Sequence, residues 1–238
     1  MTMYPVAILA GGLSKRLRPI TETIPKAMIE VAGKPFIDWQ LELLKSKGVT
    51  KVVICIGYLC EQIQKHVGDG SRYGLEVEYS FDGEKLLGTG GAIKKALALL
   101  GETFFVMYGD SYLDVNFRDI AADFEKGKAA GLMTILKNDG LWDKSNTVFD
   151  GKKIIKYDKN DEDKNKKYID FGLVILTKKC FDDHKEGINF DLGEVFKELI
   201  AEGSMAGHEV NNRFYEIGSM EGLKETEQFL IKKGPSLA

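Results

Sequence analysis

Apolar positions recur along this chain in two periods. Residues 6–10, 51–57 and 103–108 are short, nearly continuous apolar runs, the pattern of strands covered on both faces. Residues 75–79 alternate as a half-buried strand does, while 37–47, 59–67 and 91–100 carry helical spacing, the second closed by Gly68-Asp69-Gly70. Strand and helix in alternation predict βαβ units. After about residue 130 the pattern shifts to short, turn-bounded strands at 131–137, 146–149, 153–157 and 168–177, then to helices at 192–202 and 221–232. The predicted fold class is α/β, with a mixed, mostly parallel central sheet and helices on both faces. No linker divides the chain and no internal repeat is present, so a single domain over 1–238 is expected.

Composition narrows the partners. With 44% hydrophobic and 29% charged residues the chain has ordinary globular usage, and no apolar run approaches a spanning helix. The N-terminus runs almost directly into the first strand without a signal-peptide pattern, so a cytoplasmic protein with no membrane partner is expected. A formal net charge of −3 gives no overall basic field for nucleic acid; a small anion in a local cationic pocket fits better. Cys55, Cys60 and Cys180 form neither a disulfide framework nor a zinc pattern and read as reduced thiols. His66, His184 and His208 are scattered, which argues against histidine catalysis. The run at 158–167 reads as a solvated charged loop. Oligomeric state is left open.

The chemistry concentrates where the first strand ends. Leu9-Ala10-Gly11-Gly12-Leu13-Ser14-Lys15-Arg16-Leu17-Arg18-Pro19, continuing to Pro25-Lys26, joins a glycine turn to fixed cations. Glycines let the backbone turn with its N–H groups uncovered, and those groups hold anions. The two commonest phosphate loops, Gly-x-x-x-x-Gly-Lys-Ser/Thr and Gly-x-Gly-x-x-Gly, are both missing, which disfavours P-loop kinases and dinucleotide dehydrogenases. The segment resembles the L-A-G-G-x-G-T-R-L-x-P-x-T-x-x-x-P-K signature of the sugar-1-phosphate nucleotidylyltransferases. It departs from it at Ser14 and Lys15, where that family usually carries Gly and Thr.

Five further segments resemble parts of that family's pattern. Tyr108-Gly109-Asp110-Ser111 is similar to its G-D segment, and Phe214-Tyr215-Glu216-Ile217-Gly218-Ser219 to its late W/F-x-D-I/T-G-T segment, with glutamate in place of aspartate. The resemblance implies that Asp110 and Glu216 hold Mg²⁺, a hard ion that takes carboxylate oxygens. Leu87-Gly88-Thr89-Gly90-Gly91-Ala92 resembles the turn that contacts base and ribose; as an ordinary helix start, Thr89 would be its N-cap. Tyr157-Asp158-Lys159 resembles the segment whose lysine binds the sugar phosphate, with Asn160 replacing a proline. Tyr168-Ile169-Asp170-Phe171-Gly172 resembles the stretch that lines the sugar.

The family resemblance implies a nucleotide-diphospho-sugar transferase (Rossmann-like) fold of the short form, without an appended β-helix domain. About 1–130 would be the nucleotide-binding half, and about 131–238 the acceptor-binding half with the closing helices. A nucleoside triphosphate would settle on Leu9, Ala10, Gly11, Gly12, Gly88, Thr89 and Gly90, with Arg16, Lys26 and Asp110 as catalytic residues. A sugar 1-phosphate would dock on Lys159, Asp170 and Gly172. The wording of the 88–92 turn is closest to guanylyltransferases acting on mannose or heptose 1-phosphates, which favours GTP. UTP- or CTP-dependent transfer, a glycosyltransferase of the same fold and a non-catalytic nucleotide-sugar-binding relative stay open.

Overall fold

The computed structural model describes residues 3–138, 140–142 and 144–234. Strands and helices alternate through its first part: β1 (Val6–Leu9), the two-residue strands β2 (Glu30–Val31) and β3 (Lys34–Pro35), α1 (Phe36–Ser46), β4 (Lys51–Ile56), α2 (Cys60–Val67), β5 (Glu76–Phe81), α3 (Gly88–Leu100) and β6 (Thr103–Tyr108). There follow β7 (Ser111–Tyr112), α4 (Phe117–Lys126), β8 (Gly131–Lys137), β9 (Thr147–Phe149), β10 (Ile154–Tyr157) and β11 (Tyr168–Thr177). The chain continues through α5 (Leu192–Ala201), β12 (Met205–Val210), β13 (Tyr215–Glu216) and α6 (Met220–Lys233).

β5, β4, β1 and β6 lie side by side and parallel, and β11 joins β6 antiparallel. β8 then pairs antiparallel with β11 and parallel with β12, while β9 and β10 branch from the start of β11. The sheet therefore has mostly parallel central strands and a mixed far side, and one sheet runs through both halves of the chain.

Strand alternation sorts the core onto two faces. Val6 and Ile8 of β1 and Val52, Ile54 and Ile56 of β4 pack with Ile37, Leu41 and Leu44 of α1, Ile63 of α2 and Phe117 and Ile120 of α4. Ala7, Val53 and Cys55 turn the other way, onto Ile93, Ala96 and Leu97 of α3 and Val195, Phe196 and Leu199 of α5. Each such fully buried aliphatic or phenyl side chain stabilises the fold by about 1.5–3 kcal/mol. A third cluster, including Leu17, Phe36, Trp39, Leu43, Ile217 and Leu230, fixes α6 beside α1 and the basic loop.

Besides the two-residue strands β2, β3, β7 and β13, the helix α4 and the strand β12 were not expected from the sequence. The helix α4 starts with the Asn116 carboxamide oxygen accepting from the N–H groups of Arg118 and Asp119, and its apolar Phe117, Ile120, Ala121 and Phe124 follow helical spacing. β12 reads weakly because Gly207 and His208 interrupt it; its register comes from β8. The alternative reading of Thr89 as an N-cap does not hold. Leu87 precedes α3 with no side-chain cap, while the Thr89 hydroxyl donates to Asp191 (3.2 Å) and accepts from Leu192 N–H (2.8 Å), tying α3 to the start of α5. No helix among the described residues is long and apolar enough to cross a membrane.

Candidate active site

The carboxyl ends of β4, β1 and β6 form the floor of a cleft, the usual ligand side of an open parallel sheet. Ala10 N–H donates to the Cys55 carbonyl and Gly109 N–H to that of Leu9, both at 2.9 Å, so the glycine turn leaves the sheet in a fixed position. Ser14 sits at φ +49°, in the left-handed region that favours glycine. Leu17, 1% exposed, then anchors a 3₁₀ turn from which Arg16 and Arg18 project. Pro25 is extended, and Lys26 follows it with Nζ 2.8 Å from Asp110 Oδ2.

The cleft has two lobes. The first, about 350 Å³, is lined by Leu9, Ala10, Gly11, Gly12, Lys26, Gly88 and Thr89, together with Asp82, Leu86 and Asn189. The second, about 790 Å³, is lined by Arg16, Lys159, Asp170, Gly172 and Glu216, together with Trp142 and Arg213. Tyr108 and Asp110 belong to both lobes.

Where the lobes meet, β7 and β13 pair so that Ser111 faces Glu216, and Ile217 N–H donates to the Asp110 carbonyl at 2.9 Å. A Cβ on Gly218 would stand 2.3 Å from Glu216 Oε2, 3.3 Å from an Arg16 guanidinium nitrogen and 3.4 Å from Asp110 Oδ2. Two carboxylates and one guanidinium thus converge beside the Gly218 backbone. Glu216 is oriented by Gly218 N–H on Oε2 and by the Ser219 hydroxyl on Oε1. The pair suits a hard divalent ion, whose remaining oxygens would come from phosphate and water. No group of three His, Cys, Asp or Glu that could hold a metal occurs among the described residues.

Asp170 is aimed by a bulge. The pairing of β11 with β8 shifts register between Asp170 and Val174, Gly172 takes φ +91°, and its N–H donates to Asp170 Oδ1 at 2.9 Å. Such an irregularity redirects a strand side chain. Burial pushes the Asp170 carboxyl up from its ordinary pKa, while the Gly172 N–H and the charge of Lys159 pull it back. In the first lobe, burial likewise raises Asp82, opposed by Leu87 N–H and Lys95.

Several placements differ from the sequence reading. Gly90 does not line the cleft; its N–H donates to the Phe190 carbonyl and a Cβ there would meet the Phe190 ring at 2.3 Å, so packing requires the glycine. Arg16 lies in the second lobe, not in the first with Lys26. The run at 158–167 is not simply solvated, since the Lys166 side chain is 2% exposed.

Sequence reasoning also missed residues that shape the cleft. Gln40, fully buried on α1, donates from Nε2 to the carbonyls of Tyr108 (3.0 Å) and Ser111 (2.8 Å), clamping both sides of Asp110. In the second lobe the Arg213 guanidinium stacks 4.3 Å from the Trp142 ring and 5.0 Å from that of Tyr215. A buried amide inside an apolar helix face was a readable signal for Gln40; nothing local marked the Trp142–Arg213 stack.

The nucleotidyl transferase family profile matches residues 6–233 of the chain. A UTP–glucose-1-phosphate uridylyltransferase of Synechocystis is 32% identical over 213 residues, covering 82% of this chain and 55% of that protein. A D-glycero-α-D-manno-heptose 1-phosphate guanylyltransferase of Campylobacter jejuni is 32% identical over 199 residues, covering 82% of this chain and 87% of that one. The crystal structure of HddC from Yersinia pseudotuberculosis complexed with GMP-PN superimposes with a TM-score of 0.80 at 25% identity, covering 96% of this chain and all of that one.

Proposed function

The chain belongs to the nucleotidyl transferase family, among its sugar-1-phosphate nucleotidylyltransferases, and from that premise we propose that it joins a nucleotidyl group from GTP to a sugar 1-phosphate, releasing pyrophosphate. The observation that carries this reading is the two-lobed cleft meeting at Tyr108 and Asp110. Transfer between two phosphates needs two anion sites and one shared point of reaction. A hydrolase needs only one.

In this reading the triphosphate occupies the smaller lobe, with its phosphates on the backbone N–H groups of Gly11 and Gly12 and on Lys26. The sugar phosphate occupies the larger lobe, its phosphate on Lys159 and a hydroxyl donating to Asp170. An acceptor phosphate oxygen attacks the α-phosphorus in line, the bond to the bridging oxygen of pyrophosphate breaks, and pyrophosphate leaves with that electron pair. Arg16, beside Asp110 and Glu216, stands where negative charge accumulates. Asp110 and Glu216 would hold Mg²⁺, which supplies charge neutralisation at the α-phosphate when bound. The first half of the chain, to about residue 130, contributes most of the donor lobe, and the second half most of the acceptor lobe.

GTP is favoured by the wording of the 88–92 turn and by Asp82, whose carboxylate lies in the donor lobe. Guanine presents adjacent N1–H and N2–H donors, which two carboxylate oxygens match. A UTP donor is the second reading, supported by the Synechocystis relative. A pyrophosphate-release screen of four nucleoside triphosphates against a panel of sugar 1-phosphates tests both. Release with GTP is expected; release with another triphosphate alone corrects the base. No release with any pair sinks the proposal in favour of a glycosyltransferase or a non-catalytic relative.

A further inference from the structure

The charged segment at 158–167 is wound around a lysine. The ammonium of Lys166 donates to the carbonyl of Asp158 at 3.0 Å, to that of Asp161, and pairs with the Asp161 carboxylate. All three of its protons are therefore used, and its side chain is 2% exposed against 40% for Lys156. Around it the acids cap successive turns. Asp158 Oδ1 accepts from Asn160 and Asp161 N–H, Asp161 Oδ1 from Asp163 N–H, and Asp163 Oδ1 from Asn165 N–H.

This arrangement bears on one other residue. The Asp158 carbonyl belongs to the peptide bond that leads into Lys159, so the buried ammonium fixes the plane from which Lys159 departs. On the other side Asp158 N–H donates to the Asn146 carbonyl at 2.8 Å, and Asn146 Oδ1 accepts from Asp170 N–H at 2.9 Å. Lys159 and Asp170, from segments that share no ladder, are in this way held to one frame. Lys164 and Lys167, on the same loop, are exposed.

We propose that Lys166 is a positioning residue for the transfer reaction: its ammonium, filling the centre of the 158–163 turn, holds Lys159 in the acceptor lobe. The inference rests on the reading of Lys159 as the cation that receives the sugar phosphate. Without the buried charge, two inward carbonyls and a carboxylate lose their counter-charge and must turn to water. The turn then opens, and ordering Lys159 becomes a cost of acceptor binding. The Asp161 carboxyl is held far below the usual carboxylate range by Lys156 and Lys166, in line with a turn built on that cation.

The test compares Lys159→Ala, Lys166→Met, Lys164→Met, Lys167→Met and the double variant Lys159→Ala/Lys166→Met, using GTP and the sugar 1-phosphate found active in the screen. Apparent KM for each substrate is measured, with hydrogen exchange at the Asn160 and Asp161 amides. Lys166→Met is expected to raise the acceptor KM about tenfold, to leave the triphosphate KM within about twofold, and to speed exchange at both amides. Once Lys159 is alanine it should add less than about twofold, because both act on one contact. Lys164→Met and Lys167→Met should stay near wild type. An acceptor KM unchanged in Lys166→Met, equal rises in both KM values, or full additivity with Lys159→Ala overturns the proposal. If Lys159→Ala leaves the acceptor KM unchanged, the reading of Lys159 fails and the proposal with it. Should Lys166→Met not fold, Asp161→Asn removes the same ion pair from its exposed side. It should raise the acceptor KM alone; no change there also overturns the proposal.

Discussion

Lys26 and Asp110, 84 positions apart in sequence, form an ion pair with Nζ 2.8 Å from Oδ2, each side chain less than a quarter exposed. The cation proposed for phosphate and the carboxylate proposed for metal are thus direct neighbours. A donor phosphate held by one is within reach of an ion held by the other, which is what positioning at a single phosphorus requires.

If Lys26 holds the triphosphate as proposed, Lys26→Ala removes a charge-assisted contact worth about 1.5–3 kcal/mol, and roughly a 10- to 150-fold loss in kcat/KM for the triphosphate is expected. Steady-state kinetics at limiting triphosphate checks this, and an unchanged value would remove Lys26 from the donor site.

Asp110→Asn keeps the side chain's shape and removes its charge, so turnover in millimolar Mg²⁺ should fall to background while circular dichroism stays that of the wild type. Chelator should silence the wild type equally. Because Lys26 and Asp110 touch, the double variant should lose less than the two single losses combined.

Gln40→Leu leaves the carbonyls of Tyr108 and Ser111 without their buried donor, at about 1–3 kcal/mol for each unsatisfied group. A lower midpoint in urea is expected, together with a drop in kcat larger than any change in either KM, since the strand end that carries Asp110 loosens. A stability loss with kcat intact would limit Gln40 to a packing role.

Trp142 is 41% exposed in the acceptor lobe and is backed by Arg213, whereas the chain's other tryptophan, Trp39, is 7% exposed with its indole N–H on the Val31 carbonyl. A sugar ring laid on the Trp142 indole should change the intrinsic fluorescence on titration, and Trp142→Phe should abolish that change. Trp142→Ala is expected to raise the acceptor KM about 3- to 10-fold, the worth of one aromatic contact. A signal that persists in Trp142→Phe would place the sugar elsewhere.

Asp170 gives a pH dependence of known sign. Its carboxyl is raised by burial, so the folded chain binds that proton more tightly than the unfolded chain, and its contribution to stability falls as pH rises through the folded value. Asp170→Asn, free of that penalty, should melt above the wild type at pH 7 and lose the advantage near pH 3, below the ordinary carboxyl value, where the wild-type residue is mostly protonated in both folded and unfolded chains. Its acceptor KM should rise in the same variant. Melting curves at the two pH values, with the sign of the difference as the readout, decide the point.

Much of this protein is legible from its chain alone. The buried runs at β1, β4 and β6 announce a parallel sheet because only a strand covered on both faces carries uninterrupted apolar residues. Gly11, Gly12 and Asp110 stand out locally as a glycine turn and a lone charge after buried strands, whereas Lys26 and Glu216 are marked by the resemblance to the family's segments; all five line the cleft. Even α4, overlooked in the sequence, carried its own signal in Asn116 and the spacing of Phe117, Ile120 and Phe124. Other features have no local trace. That Lys26 meets Asp110, that Gln40 clamps the backbone on either side of that aspartate, that Arg213 backs Trp142, and that Lys166 among several lysines is the buried one, are consequences of which strands become neighbours. Local sequence sets the conformation of each segment through sterics and nearby hydrogen bonds. Contacts between distant segments depend on sheet order and register, which the packing of the whole core selects.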